Sequence, residues 1–114
     1  MRQDQDVDKK IAGYLGLAQK AGKIAAGDRM AMEAMKKDGV FLLMIAEDIA
    51  EAPRKELLQA ATMRGVTVFH WQDKATLGLV TGKSPRGALA VLDKGFAEAI
   101  KKIYGGSMQL SFKG

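Results

Sequence analysis

Val40-Phe-Leu-Leu-Met-Ile-Ala46 is a continuous apolar run that is bounded by Gly39 and Glu47. Its length suits a β-strand, and it offers no polar face to water. A strand of this kind needs cover on both sides, as in the middle of a sheet that lies between two layers of helices. We therefore expect this run to be a central strand, with the rest of the chain supplying the layers around it.

Helical and extended patterns alternate on both sides of this run. The apolar period predicts five helices: Val7 to Gly22, Asp28 to about Asp38, Pro53 to Gly65, a short helix capped by Asp73 and stopping at Gly82, and a last one ending at Gly105-Gly106. Further strands are expected over 24–26, 66–71 and 88–92. This order predicts an α/β fold, a three-layer α/β/α sandwich around a small mixed sheet of about four strands.

The length of 114 residues suits one domain with one hydrophobic core. We expect a flexible leader over 1–6, a single domain over 7–104 and a flexible tail over 105–114. The polar N-terminus lacks the apolar run of a signal peptide. No apolar stretch approaches the roughly 20 residues that span a bilayer. The chain is therefore expected to be cytoplasmic and to have no membrane partner.

Charge and residue types limit the possible functions. Eighteen Lys and Arg against thirteen Asp and Glu give a formal charge of +5, which favours a polyanionic partner. The absence of cysteine and the presence of one histidine exclude disulfides, thiolate metal sites and His-rich metal centres. We predict no metal, no cofactor and no catalytic residues.

The stretch Lys23–Met35 combines a short strand, a glycine and the first turns of a helix. A helix that begins at Gly27 leaves backbone N–H groups unpaired at Asp28 and the next residues, and its dipole places partial positive charge there. Such a helix end can hold a phosphate or a bent nucleic-acid backbone. The alternative is a simple N-cap, which is what most Gly-Asp pairs before helices are.

Two basic features accompany this helix. Arg29, Glu33 and Lys37 are spaced by four, so they share one helix face, either as a binding surface or as a solvated face with ion pairs. The second feature is a turn-forming loop with two cations, which is either a ligand-binding loop or an ordinary surface loop. Its residues are Lys83, Ser84, Pro85, Arg86 and Gly87.

Glu47 and Asp48 follow the central strand, where catalytic acids often lie in α/β folds. No histidine, second acidic pair or glycine-rich phosphate motif accompanies them in the sequence. An acidic pair at the entry of a helix is the simpler interpretation. The residues therefore favour a binding module over an enzyme.

Several motifs together resemble the kink-turn RNA-binding ribosomal protein family, known from its archaeal "L-seven-Ae" member. They are Leu15-Gly-Leu-Ala-Gln-Lys-Ala-Gly-Lys23, Gly27, Leu42-Leu-Met-Ile-Ala-Glu-Asp48, Leu77-Gly78, Gly82 and Leu89-Ala-Val91. The first of these, with Asp93-Lys-Gly-Phe96, resembles the small bacterial branch of YlxQ-type proteins. The resemblance runs from about residue 11 to 103.

The resemblance implies an α/β/α sandwich and a mode of RNA binding. The helix after Gly27 would lie in the widened groove of a kink-turn, at its G·A pairs, and the loop from Lys83 to Gly87 would cover the flipped-out bulge nucleotide. The family pattern on this helix is Gly-x-Asn-Glu-x-x-Lys. Gly27 matches it, and Lys37 matches a basic residue one turn further.

Three residues depart from that pattern. Arg29 stands at the Asn, Met30 at the Glu and Glu33 at the Lys. A carboxylate is repelled by a phosphate backbone, although Arg29 could pair with Glu33 or take over a contact. The hypothesis is a non-enzymatic protein that binds structured RNA, ribosomal or other kink-turn-containing RNA, through these two segments. The alternative is a protein-interaction or self-association module that kept the fold and lost specific RNA contacts.

Overall fold

The computed structural model describes the backbone of residues 2–112 and the side chains of residues 6–105. The helices are α1 (Arg2–Lys20), α2 (Asp28–Met35), α3 (Glu51–Arg64), α4 (Lys74–Val80) and α5 (Lys94–Phe112). The strands are β1 (Ile24–Ala26), β2 (Leu42–Ile45), β3 (Val68–His70) and β4 (Ala88–Val91). The predicted alternation of helices and strands is confirmed.

The four strands form one mixed sheet in the order β1-β4-β2-β3. β4 is antiparallel to both β1 and β2, whereas β2 and β3 are parallel. The register places Val91 of β4 between Ile24 of β1 and Leu42 of β2. The apolar run around β2 is thus an inner strand of the sheet, as its composition predicts.

Side chains alternate between two cores, one on each face of the sheet. On β2, Leu42 and Met44 join a core with α1, α4 and α5, and Leu43 and Ile45 join a core with α2 and α3. Each of these four side chains is fully buried. Because successive residues of a strand point to opposite faces, a strand with two buried faces must be apolar throughout. The three-layer α/β/α sandwich is confirmed.

The ends of α2 and α5 differ from the prediction. α2 stops at Met35, and the expectation that it reaches Asp38 is wrong. After Met35 the backbone tightens: the Lys36 and Lys37 N–H groups donate to the Glu33 and Ala34 carbonyls, three residues back, at 3.2 and 3.0 Å. Arg64 of α3 binds this turn, with its Nη2 donating to the Lys36 carbonyl at 2.7 Å and its Nη1 to the Asp38 carboxylate at 2.8 Å.

α5 continues through Gly105 to Phe112, so the predicted helix end at Gly105-Gly106 is also wrong. α1 begins at Arg2, five residues before Val7. The flexibility of the leader 1–6 and the tail 105–114 stays a prediction, and Met1, Lys113 and Gly114 lie outside the described residues. Within 2–112, no helix has the length and apolarity to cross a bilayer.

Two predicted helix ends are confirmed. The Asp73 carboxylate accepts a hydrogen bond from the Thr76 N–H at 2.9 Å, and this bond lowers the pKa of Asp73. Gly65 ends α3 in the left-handed conformation (φ 69°), which glycine adopts without a Cβ penalty.

The chain directions bring several loops to one end of the sheet. β1, β2 and β3 end there, and β4 begins there, since β4 is antiparallel to β1 and β2. We call it the Gly27 end, because α2 starts there at Gly27. The residues that enter β1 and β2 and leave β4 lie at the opposite end, called here the Lys23 end.

Candidate nucleic-acid interface

Gly27 joins β1 to α2 in a conformation that suits only glycine. Its φ is 114° and its ψ is 149°, a backbone conformation that is strained for any residue with a side chain. Its N–H donates to the Ala88 carbonyl at 2.8 Å, and its carbonyl accepts from the Ala31 N–H at 2.8 Å. The glycine therefore belongs to the sheet ladder and to the helix at the same time, which fixes the direction in which α2 leaves the sheet.

The N-terminal end of α2 offers backbone donors. The amides of Asp28, Arg29 and Met30 precede the first intrahelical bond, which Ala31 makes, and no side-chain bond caps this end. The helix dipole adds partial positive charge. The Asp28 carboxylate lies in this first turn and complements the dipole, so it also competes with an anionic ligand.

The loop between α4 and β4 is held against α4 by a glycine. The Lys83 N–H donates to the Gly78 carbonyl at 2.7 Å. A Cβ at Gly78 would overlap the Ser84 carbonyl, so only glycine permits this close approach. The loop therefore has a defined position, although Lys83, Ser84 and Pro85 are exposed.

Arg86 connects the loop to α2. Its Nη1 donates to the Ser84 hydroxyl at 2.7 Å and to the Ser84 carbonyl at 3.0 Å, while its N–H donates to the Lys74 carbonyl at 3.0 Å. A Cβ at Gly27 would lie only 3.2 Å from Arg86 Cδ. The stem of Arg86 thus passes close to Gly27, where α2 begins.

The end of β2 supports the same site. The Gly87 carbonyl accepts from the Ala46 N–H at 2.9 Å, and a Cβ at Gly87 would lie 2.9 Å from Ile49 Cγ1. The Asp48 carboxylate accepts from the Lys74 N–H at 2.8 Å, so it holds the start of α4. In the described part of the chain, no cluster of acids, His or Cys could hold a metal ion.

These elements enclose a shallow groove of about 440 Å³ at the Gly27 end. The predicted residues that line it are Gly27, Asp28, Arg29, Met30, Pro85, Arg86 and Gly87. Lys83 and Ser84 lie beside it on the same loop. The sequence reasoning missed Ala26, Ile49, Ala50 and Lys74, which also line the groove. Asp73 marked the helix start next to Lys74, but nothing in the sequence indicated that this start reaches the groove at the beginning of α2.

The structure does not bring Glu33 and Lys37 into this groove. Glu33 forms an ion pair with Lys36 at 3.3 Å, and none with Arg29 or Lys37 appears among the described side chains. Glu33 and Arg29 line a second groove of about 680 Å³ between α2 and α3. Lys37 follows the end of α2 and lies toward the Lys23 end of the sheet.

Comparison of the sequence with known proteins identifies the family to which this chain belongs. Residues 9–101 match the model of the ribosomal protein L7Ae/L30e/S12e/Gadd45 family. The RNA-binding protein YlxQ of Enterococcus faecium is 26% identical over 98 residues, covering 86% of this chain and 94% of that protein. The RNA-binding protein YlxQ of Bacillus subtilis (strain 168) is 28% identical over 86 residues, covering 75% of this chain and 86% of that protein.

Solved structures share the fold. A protein of unknown function from Bacillus halodurans C superposes with a TM-score of 0.78 at 26% identity, covering 82% of this chain and 95% of that one. The Giardia lamblia 15.5kD RNA binding protein superposes with a TM-score of 0.72 at 18% identity, covering 92% of this chain and 90% of that one. The matched family and the YlxQ relatives bear the names of ribosomal and RNA-binding proteins, which agrees with the prediction of a non-enzymatic protein. The chain belongs to the ribosomal protein L7Ae/L30e/S12e/Gadd45 family, in which it resembles the YlxQ proteins.

Proposed function

We propose that this protein is a cytoplasmic RNA-binding protein that needs no cofactor and recognises structured RNA of the kink-turn type, in ribosomal RNA or another RNA. The proposed interface consists of the N-terminal end of α2 and the loop from Lys83 to Gly87. Membership of the family and the names of the YlxQ relatives support RNA as the partner.

The observation that carries the proposal is the contact between Arg86 and Gly27. It places a guanidinium group and a set of unpaired helix amides on the same groove. Both are donors for phosphate oxygens, and both are positioned before any ligand arrives. RNA is recognised at irregular elements, because the deep groove of a regular duplex excludes side chains. A pre-arranged pair of donors at the end of a sheet fits a sharp backbone bend.

Exposed side chains around the groove define how it would contact RNA. Arg29 and Lys83 are exposed cations at its edge, and Met30, with 54% of its surface exposed, offers an apolar contact to a base. Asp28 and Glu33 oppose the approach of phosphates. We therefore expect few phosphate contacts and a moderate affinity. The slope of log K against log salt should then be shallow, because each phosphate contact contributes about 0.9 to it on a duplex.

The test is a titration of a kink-turn RNA and of a matched RNA whose G·A pairs are replaced by Watson–Crick pairs. Binding is followed by fluorescence anisotropy at about 50 and about 200 mM salt. We expect tighter binding to the kink-turn at both salt concentrations. Equal, weak binding to the two RNAs would contradict the proposal and leave only a charge effect.

A second candidate function is the binding of another protein at the groove between α2 and α3. Met63 lines this groove with 79% of its surface exposed, and Glu33 adds a carboxylate where the family pattern has a cation. Analytical ultracentrifugation tests self-association at this face. A dimer that Met63→Lys abolishes, in a protein with no kink-turn preference, would favour this candidate over RNA binding.

A further inference from the structure

The Lys23 end of the sheet brings a second set of cations together. The Leu92 N–H donates to the Lys23 carbonyl at 2.8 Å, and the Phe41 N–H donates to the Val91 carbonyl at 2.9 Å. These bonds extend three neighbouring strands beyond their formal ends. Lys23, Leu92 and Phe41 therefore lie side by side, across the sheet from one another.

Four lysines are grouped around these strand ends. Lys20 lies in the last turn of α1, Lys23 precedes β1, Lys37 follows α2, and Lys94 begins α5. Within residues 6–105, the ion pairs involve other cations, and none includes any of these four lysines.

The acidic residues at this end already have partners. Asp38 contacts Arg64 at 2.8 Å, and the Asp93 carboxylate accepts from the Phe96 N–H at 2.9 Å. Neither carboxylate is thus engaged with a lysine of this group. Asp38 is neutralised by Arg64, and Asp93 is the remaining carboxylate opposite four lysines, so this end keeps a net positive charge.

Requirements of the fold explain only part of this arrangement. A cation near a helix C-terminus stabilises the helix, which accounts for Lys20. Lys94 occupies the first residue of α5, where a cation opposes the helix dipole. Lys23 lies in the capping turn of α1, where its N–H donates to the Ala18 carbonyl at 2.8 Å, so it also complements the negative end of that helix. Lys94 is the member of the group that helix stabilisation does not explain.

Phe41 gives this surface a second property. It lies between the strand ends with 37% of its surface exposed, whereas the next five residues of the run are buried. Single-stranded nucleic acid is bound where an exposed aromatic ring, on which a base can stack, lies among cations that contact the backbone. Phe41 and the four lysines lie at the same end of the sheet, which therefore offers both kinds of group.

We propose that the Lys23 end is a second RNA-binding surface, formed by Lys20, Lys23, Lys37, Phe41 and Lys94, and that it takes an unpaired RNA segment. The inference rests on the proposed function for the class of partner. It concerns a separate surface, since β4 separates this end from the groove at Gly27. A four-residue strand spans about 13 Å. A protein that holds folded RNA at the Gly27 end would thus keep the Lys23 end free for a single strand.

The test measures binding of a fluorescent oligouridine of about 12 nucleotides to the full chain at about 50 and about 200 mM salt. Lys23→Gln with Lys94→Gln should lower the slope of log K against log salt by about 1.4, because each phosphate contact to a single strand contributes about 0.7. Phe41→Ala should weaken binding at least about fivefold, and Phe41→Tyr should retain it. The tyrosine variant controls for damage to the fold.

Lys10→Gln with Lys102→Gln is the matched control, because both side chains are exposed on α1 and α5 and the change in net charge is the same. An equal loss in this control pair would overturn the inference, since net charge alone would then explain binding. An unchanged slope in the Lys23 and Lys94 variant would overturn it as well.

Titration of the same variants with the kink-turn RNA separates this inference from the proposed function. We expect the changes at Lys23 and Lys94 to leave kink-turn affinity within about twofold and to reduce oligouridine binding. A protein that binds oligouridine through the Lys23 end and shows no kink-turn preference would contradict the proposed function and support the second surface.

Discussion

Gly27 and Arg86 lie so close that a Cβ on residue 27 would approach Arg86 Cδ to 3.2 Å and Nε to 3.5 Å. Each residue sets the position of the other. The glycine leaves room for the arginine stem, while bonds to Ser84 hold the guanidinium group on the loop. The proposed RNA interface depends on this contact more than on any single charge.

Gly27→Ala should therefore disturb both the fold and the interface. The backbone conformation at φ 114° and ψ 149° costs a side-chain-bearing residue about 1–3 kcal/mol, and the new methyl group displaces Arg86. Urea unfolding should show this loss in the free energy of unfolding. Gly13→Ala is the control: its Cβ meets nothing within 4 Å, so this change inside α1 should stabilise the protein by about 0.5–1 kcal/mol. Equal effects of the two changes would contradict the assigned role of Gly27.

Arg86→Ala should weaken binding of the kink-turn RNA about fivefold, which corresponds to about 1 kcal/mol. The variant loses a cation next to the helix amides, together with the bonds that its guanidinium makes to Ser84. Anisotropy titrations provide the measurement. Lys10→Ala removes the same charge at a distant exposed site and should leave the affinity nearly unchanged. A wild-type affinity in Arg86→Ala would remove the loop from the proposed site.

Glu33→Lys should tighten RNA binding and raise the slope of log K against log salt by up to about 0.9. Among the side chains of residues 6–105 it pairs only with Lys36, and both side chains are more than 60% exposed, so the loss in stability should stay below about 0.5 kcal/mol. Glu98→Lys is the control with the same charge change, since Glu98 pairs with Lys101 at the same i,i+3 spacing. An equal gain in both variants would mean that α2 does not face RNA.

Ionisation of the Tyr104 phenol should lower the free energy of unfolding at high pH. Burial, with the charges of Glu47 and Asp8, raises the pKa of this phenol above its usual value of 10.0. The folded state therefore keeps the proton to a higher pH than the unfolded state does. This contribution to stability is complete below about pH 10 and is lost as the pH rises through the raised pKa.

Urea unfolding at pH values from about 8 to about 11 measures this effect. Tyr104→Phe should retain the ring stacking on Phe69, at a centroid distance of 3.9 Å, and lose the hydrogen bond to the His70 carbonyl. Its stability should fall less steeply above pH 10 than that of the wild type. Parallel curves for the two proteins would show that Tyr104 does not contribute.

Much of the fold could be predicted because its determinants are local in the sequence. The apolar run from Val40 to Ala46 indicated a strand with two buried faces, and Asp73 and Gly65 marked helix ends by their own chemistry. The apposition of Gly27 and the loop from Lys83 to Gly87 was implied by the family resemblance. Their proximity is a property of the antiparallel pairing of β1 and β4, which no local pattern encodes.

The errors in the sequence analysis arose where distant residues decide the local structure. Met35-Lys-Lys-Asp38 reads as a continuing helix, but it forms a tighter turn, whose Lys36 carbonyl is bound by Arg64 of α3. Lys37 therefore follows α2 and does not extend a helical stripe with Arg29 and Glu33. A partner nearly thirty positions away cannot be read from helical periodicity.

Gly78 controls the proposed interface from outside it. Because Gly78 has no side chain, the Ser84 carbonyl packs directly against α4. This contact sets the distance between the loop and the helix. A methyl group at this position would lift the loop and carry Arg86 away from α2, without altering a single charge or any groove-lining residue. The geometry of the proposed interface therefore depends on a buried position, which substitutions confined to the exposed surface would not test.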